Sequence, residues 1–187
     1  MSELLDVVAV VGSIRRDSLT RRYVESLKLL APASLKVDIA NISDLSLYNP
    51  DYEPLLPQAW KTFRLRIKRA DAVLFATPEY NRSMPAALKN ALDVGSRPHA
   101  QNVWHGKPAA IVSVSPGQLG GFGANHHLRQ SLVALNVPTM PQPEAYISAA
   151  DKLIDPAGQF VKPETREFFA TFLTAFESWI KVFKAGG

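Results

Sequence analysis

The stretch from Leu4 to Val11 is a nearly unbroken apolar run, rich in valine, that stops at Gly12. It is too short to be a helix of its own, and apolarity without polar alternation reads as a strand buried on both faces. Such a strand needs cover above and below, which confines the chain to layered α/β architectures. The next segment supplies the first cover. From Ser18 the pattern turns helical, with Leu19, Tyr23, Leu27 and Leu30 on one face, until Pro32 ends it.

The alternation continues along the chain. Leu35 to Ile42 reads as a half-exposed second strand, and Ser43 to Pro57, with three prolines, Tyr48 and Tyr52, as a loop. Trp60, Phe63, Ile67 and Ala70 then share one helical face, opposite Lys61, Arg64, Lys68 and Arg69. Ala72 to Thr77 is a third strand, Pro85 to Val94 a helix with Gly95 as its expected stop, and Pro108 to Ser115 a fourth strand. A helix over Ala124 to Leu135, an edge strand within Val137 to Ile147 and a last helix over Thr165 to Phe183 complete the series, with Ala185 to Gly187 as a frayed end. Strands alternating with helices imply parallel pairing, because each parallel step needs a crossover. The expected fold is one doubly wound α/β domain over residues 1–187, with a five-stranded parallel sheet and helices on both faces.

Composition narrows the chemistry. There is no cysteine, which excludes disulfides, iron–sulfur clusters, thiolate metal sites and cysteine nucleophiles, so any redox activity needs a bound cofactor. The net charge of +4 tilts the surface towards anions without massing bases into a nucleic-acid-binding tail. The longest apolar runs fall far below the roughly 18 residues that span a bilayer. Glu3 and Asp6 stand where a secretory signal carries basic residues. A cytoplasmic protein without nucleic-acid or membrane partners is expected.

In a doubly wound sheet the ligand sits beyond the carboxyl ends of the strands, where strand order reverses. The loop Gly12 to Ser18 is neither G-x-G-x-x-G nor G-x-x-x-x-G-K-[ST], which argues against a Rossmann dinucleotide site and a P-loop hydrolase. Ser13, Ser18 and Thr20 instead offer hydroxyls, and Arg15 a fork that matches phosphate, at the positive end of a helix dipole. The plainer reading makes Ser18 a helix cap and the arginines solvated. A second loop, "TPEYNRSM", places Pro78, Glu79, Tyr80 and Asn81 after a buried strand, a suitable wall for a flat heteroaromatic ligand. A third, "SPGQLGGFG", has glycines at 117, 120, 121 and 123, which let backbone approach a ligand closely.

With "GSIRRDS", "TPEYNRSMPAALKNALD" and the Gly120–Gly121 loop followed by "HLRQ", the chain resembles the NAD(P)H-dependent FMN reductase family of flavodoxin-like quinone and chromate reductases. The resemblance implies FMN, with its phosphate on Ser13, Arg15, Ser18 and Thr20 and its ring between Pro78–Asn81 and Ser115 with Gly117. It also implies NADPH or NADH as donor and quinones, free flavin or chromate-like anions as acceptors. The working unit it implies is a homodimer or homotetramer, with His126 and Glu144 near a subunit boundary.

Several residues invite other readings. Adjacent His126 and His127 point in different directions on a helix and have no carboxylate at a ligand spacing, so structural or interface roles suit them better than metal binding. Ser115 is not in a G-x-S-x-G elbow. Trp60 and Trp104 read as core or interface residues. Arg82 and Arg97, on the same side of the sheet by loop position, are candidates for holding nucleotide phosphates or an oxyanion; the alternative makes Arg82 a solvated loop residue or one that salt-bridges a neighbouring subunit. An electron shuttle that binds FMN without pyridine-nucleotide turnover is the competing function, and the basic net charge argues against it. A nucleotide-binding regulatory module without turnover is a third.

Overall fold

A computed structural model describes residues 4–185 of the chain. Five parallel strands, β1 (Leu5–Val11), β2 (Leu35–Ala40), β3 (Ala72–Thr77), β4 (Ala109–Val114) and β5 (Ala145–Ile147), form one sheet in the order β2-β1-β3-β4-β5. This is the flavodoxin-like order, which reverses direction between β1 and β3. Gly186 and Gly187 of the expected frayed end lie outside the described residues.

Period-two alternation divides the inner strands between two cores. Leu5, Val7, Ala9 and Val11 of β1, with Leu74 of β3 and Val112 of β4, face helices α1 (Leu19–Leu30) and α5 (Pro163–Ala185). Val8, Val10, Phe75 and Ile111 face α2 (Gln58–Arg69), α3 (Ala86–Ser96) and α4 (Phe122–Ala134). Each fully buried Val, Leu or Ile contributes about 1.5–3 kcal/mol of transfer free energy. An acidic substitution in β1 would therefore meet apolar neighbours on either face.

Four expectations change. The edge strand contracts to Ala145–Ile147, since Pro138, Pro141 and Pro143 remove ladder donors, and Thr139 keeps only an isolated bridge to Ala109. Gly95 does not end α3, which runs on to Ser96. The glycine is there because the indole of buried Trp104 lies on it: an added Cβ would come within 2.3 Å of Trp104 Nε1, which donates to the Leu92 carbonyl at 2.9 Å. Arg64 is not on a solvent face. It is 6% exposed and donates to the carbonyls of Val94, Gly95 and Arg97 at the end of α3 and of Gln101 in the 3₁₀ turn that follows. The long loop after β2 holds a 3₁₀ turn, Pro50–Leu55, and is tied down by buried Asn90, which accepts from the Tyr48 amide at 2.8 Å and donates to the Ser46 carbonyl at 3.0 Å.

Candidate active site

The carboxyl ends of β1, β3 and β4 lie side by side, so the three loops singled out in the sequence meet at one rim. After β1, the Gly12 amide still donates to the Ala76 carbonyl at 2.7 Å, which pins the start of the loop to β3. Among the described residues, the amides of Ser13, Ile14, Arg15, Arg16 and Asp17 then make no hydrogen bond within the chain. Ser18 closes the loop as the N-cap of α1, its Oγ accepting from the Arg21 amide at 3.1 Å. Arg15, Arg16 and Arg21 are exposed and make no ion pair among the described residues, whereas Ser18 and Thr20 are 3% and 2% exposed. The loop is thus a row of backbone donors and unpaired guanidinium groups at a helix N-terminus, a donor set that suits a phosphate ester. Ser13, Arg15 and the loop amides are its accessible donors; Ser18 shapes the loop from within.

After β3, the chain makes a two-residue hairpin. Tyr80 and Ser83 exchange backbone hydrogen bonds of 2.9 and 3.0 Å, and Asn81 and Arg82 at the tip have φ of +51° and +63°. A type I′ turn demands positive φ at both tip positions; asparagine accepts this readily, arginine does not. The Glu79 side chain turns away from solvent. Its Oε2 accepts the Ala124 amide in the first turn of α4 at 3.1 Å, and its Oε1 pairs with Arg82 at 3.2 Å. Glu79 therefore serves the site by joining two loops, and Pro78 with the backbone of the hairpin forms the wall.

After β4, Ser115 Oγ accepts the Gly117 amide at 3.0 Å, which folds the loop back at the rim. Gly120 and Gly121 have φ of +59° and +75°, and a Cβ on Gly120 would lie 2.6 Å from the Tyr146 carbonyl carbon. Both features exclude a side chain there. Gly123 is almost as tight towards the hairpin, where an added Cβ would stand 2.7 Å from the Arg82 carbonyl oxygen. His127 Nδ1 meets Ser83 Oγ at 2.9 Å, a second tie between hairpin and α4.

His126 takes a different partner. Tyr146 donates its hydroxyl to Glu144 at 2.7 Å, so His126 Nε2 at 3.0 Å is the donor to Tyr146 Oη. Burial first, then the bond to Glu144, pushes the Tyr146 phenol up to about 12. Both histidines thus have side-chain partners within the chain.

Of the residues expected to meet, the structure brings together Ser13, Arg15, Pro78 to Asn81, Ser115 and Gly117 at one rim, with Arg82 at its edge. It does not bring Arg97 there. Arg97 caps the far end of α3, 11 residues on from the hairpin, where Arg64 holds its backbone carbonyl and its guanidinium lies near the Tyr48 phenol in the loop after β2. Sequence reasoning also misses the ties: Gly123, His127 with Ser83, and the Glu79 cap. The glycine-rich composition of the third loop hints at the first, and nothing local marks the others.

Three comparisons bear on this arrangement. Residues 5–152 match the family model for NADPH-dependent FMN reductases. The chain is 54% identical over 186 residues, 99% of this chain and 100% of the other, to a quinone reductase of Pseudomonas putida. It is 42% identical to a 2-hydroxy-1,4-benzoquinone reductase of a Burkholderia species, covering 95% and 97% of the two chains. Its fold superposes on that of FerB, a flavoenzyme NAD(P)H:(acceptor) oxidoreductase from Paracoccus denitrificans, with a TM-score of 0.92, 38% identity and 96% and 99% coverage. The donor row after β1, the hairpin wall after β3 and the folded loop after β4 fit FMN, and the chain belongs to the NADPH-dependent FMN reductase family, whose cofactor is FMN and whose electron donor is NAD(P)H.

Proposed function

We propose that the protein is an FMN-dependent oxidoreductase that oxidises NAD(P)H and reduces quinones, with free flavin and oxyanions such as chromate as further acceptors. The carrying observation is the lock between the loops after β3 and β4, Glu79 Oε2 on the Ala124 amide at 3.1 Å, placed beside the donor row after β1. When bound, FMN supplies a ring that accepts hydride from the nicotinamide and delivers two electrons to the acceptor. The chain does the rest. Ser13, Arg15 and the loop amides hold the phosphate, Pro78 to Asn81 and Ser115 with Gly117 border the ring, and Arg82 at the rim draws in anionic ligands.

The names of the relatives support a quinone as acceptor, since both the Pseudomonas and the Burkholderia proteins are called quinone reductases of one kind or another. Self-association belongs to the same reading. Phe122, 51% exposed, packs with His126 and Tyr146 at ring distances of 4.2 and 5.3 Å, an aromatic surface beside the site that a dimer or tetramer would cover. Sedimentation of the purified protein gives its mass directly. A single folding unit and a cytoplasmic location complete the proposal; one cooperative thermal transition and cell fractionation test them. No helix of the described residues is long and apolar enough to cross a membrane.

The decisive experiment is a visible spectrum of the purified protein before and after anaerobic NADPH. A flavin spectrum that bleaches with NADPH and recovers with a quinone is expected. A protein that takes up FMN but leaves NADPH unoxidised would instead be an electron shuttle.

A further inference from the structure

Away from the rim, a cavity of about 580 Å³ lies between α2 and the segment that leads into β4. That volume falls within the roughly 300–1,000 Å³ of small-molecule pockets. Its charged lining is entirely basic: Lys61, Lys68 and Lys107, with Arg64 and His105, and no carboxylate. None of these residues belongs to the three loops of the rim. Lys107 precedes β4, and its ammonium donates to the Lys68 and Ala70 carbonyls, at 3.0 and 2.6 Å, just before β3 begins. The cavity therefore reaches the amino ends of β3 and β4, whereas the rim lies at their carboxyl ends, about 20 Å away at roughly 3.3 Å per residue.

The fold accounts for two of these cations. Arg64 is spent on the four carbonyls described above, and Lys107 caps the end of α2 with two of its three N–H donors. Burial lowers the Lys107 ammonium, and the carboxylates of Asp71 and Asp6 partly restore it. Lys61 and Lys68 are exposed and make no ion pair among the described residues. A cation in the last turn of a helix suits the dipole, which explains Lys68. Lys61 stands near the start of α2, where a cation opposes the dipole, and no acidic residue in the first turn compensates it.

Lys61, Leu65 and Lys68 share one strip of α2, at i, i+4 and i+7. The two lysines are separated by about 10 Å along the axis, at roughly 1.5 Å per residue. Leu65, 47% exposed, lies between them, and Leu56 and Val103 add apolar lining. Basic groups thus stand at both ends of an aliphatic floor.

We infer that the cavity between α2 and the segment before β4 binds an amphipathic organic dianion, with one acidic group at Lys61, the other at Lys68 and Lys107, and its apolar body on Leu65 and Val103. The site stands apart from the FMN reading, since none of its residues belongs to the rim.

The test titrates the FMN-loaded protein by calorimetry with naphthalene-2,6-disulfonate, which stays doubly charged at any working pH. Naphthalene-2-sulfonate has the same body and one charge, and inorganic phosphate has charge without a body. The disulfonate is expected to bind with one-to-one stoichiometry, about threefold to fivefold more tightly than the monosulfonate, and phosphate more weakly than either. Lys61→Ala and Lys68→Ala should each remove that preference, so that the two sulfonates bind alike. Leu65→Glu, which sets a negative charge on the floor, should abolish binding. Lys162→Ala, a surface charge outside the cavity, should leave all three affinities unchanged. The substituted side chains are all exposed, so these variants keep the parental fold. Equal affinities for the two sulfonates in the parent would overturn the inference, as would parental affinities in Lys61→Ala. Phosphate binding as tightly as the disulfonate would overturn it too, and so would an equal loss in Lys162→Ala, which would reduce the effect to overall basicity.

Discussion

Glu79 and Gly123 are neighbours across two loops. The Glu79 carboxylate caps the first turn of α4 through the Ala124 amide at 3.1 Å, and a Cβ on Gly123 would come within 2.9 Å of the same carboxylate. A side chain at 123 and the cap at 79 therefore exclude each other. The contact sets the spacing between the hairpin and the loop after β4, the gap proposed above to receive the flavin ring.

Gly123→Ala is expected to push the hairpin outward, because its nearest obstacle is the Arg82 carbonyl, which is backbone and cannot rotate away. Loss of a helix cap costs about 0.5–2 kcal/mol. Glu79→Ala should lower stability by that amount, and both variants should bind FMN more weakly. Thermal unfolding and FMN titration measure the two effects; a Gly123→Ala protein with parental flavin affinity would show that this gap does not hold the ring.

Arg15→Ala is expected to weaken FMN binding roughly tenfold to a hundredfold, since a charge-assisted hydrogen bond contributes about 1.5–3 kcal/mol. Arg16→Ala should change it far less. Equal losses in the two variants, measured by fluorescence titration, would mean that the phosphate does not discriminate between them.

Nucleotide and acceptor are expected to use one face of the flavin in turn, because both must reach the same ring. Initial-rate plots against NADPH at several quinone concentrations should run parallel. Lines that converge would require both to be bound together.

Asp71 couples the start of β3 to the last helix. Burial pushes its carboxyl up, but hydrogen bonds from Lys184 at 2.9 Å and the Asp6 amide at 2.8 Å outweigh this and hold it below the usual carboxylate range. A carboxyl depressed on folding stabilises the protein above its unfolded value, about 3.9 for Asp, and that stability is lost as pH falls through the lower folded value. Asp71→Asn should thus be less stable than the parent at neutral pH, with the difference shrinking below about pH 4. Chemical denaturation at pH 7 and pH 3 reads this; an unchanged gap would show that the charge of Asp71 contributes nothing.

Legibility in the sequence depends on whether the cause of a feature is local. The inner strands announce themselves because continuous apolarity over so short a span fits little but a strand buried on both faces. The Gly120–Gly121 turn shows in composition because only glycine takes those φ values so close to β5. Arg64, Gly95 and Glu79 are different. Arg64 sits at a helical position that solvent would accept, and only the fold places the end of α3 against it. Gly95 resembles a stop signal until Trp104, nine positions on, lies against it. Loop order puts Arg97 beside the hairpin, whereas α3 carries it away, to the neighbourhood of Arg64 and Tyr48.

Arg82 shows how the tip of the hairpin reconciles backbone and charge. Its φ of +63° is costly for a residue with a Cβ, its side chain is 72% exposed, and its only ion pair among the described residues is with Glu79. Such an exposed pair adds little to stability, so the reason for an arginine at a glycine position should lie in ligand attraction. Arg82→Ala and Arg82→Gly remove the same charge and differ at the backbone. The glycine variant is expected to be more stable than the alanine variant by about 1 kcal/mol, because alanine retains the positive-φ cost. Both should raise KM for NADPH, NADH and chromate more than for a neutral quinone, and the excess should fade as ionic strength rises and the Debye length contracts from about 10 Å at 0.1 M to 3 Å at 1 M. Thermal melts and KM series at two salt concentrations separate the contributions. Effects equal for charged and neutral substrates, and independent of salt, would leave Arg82 a turn residue with no part in ligand capture.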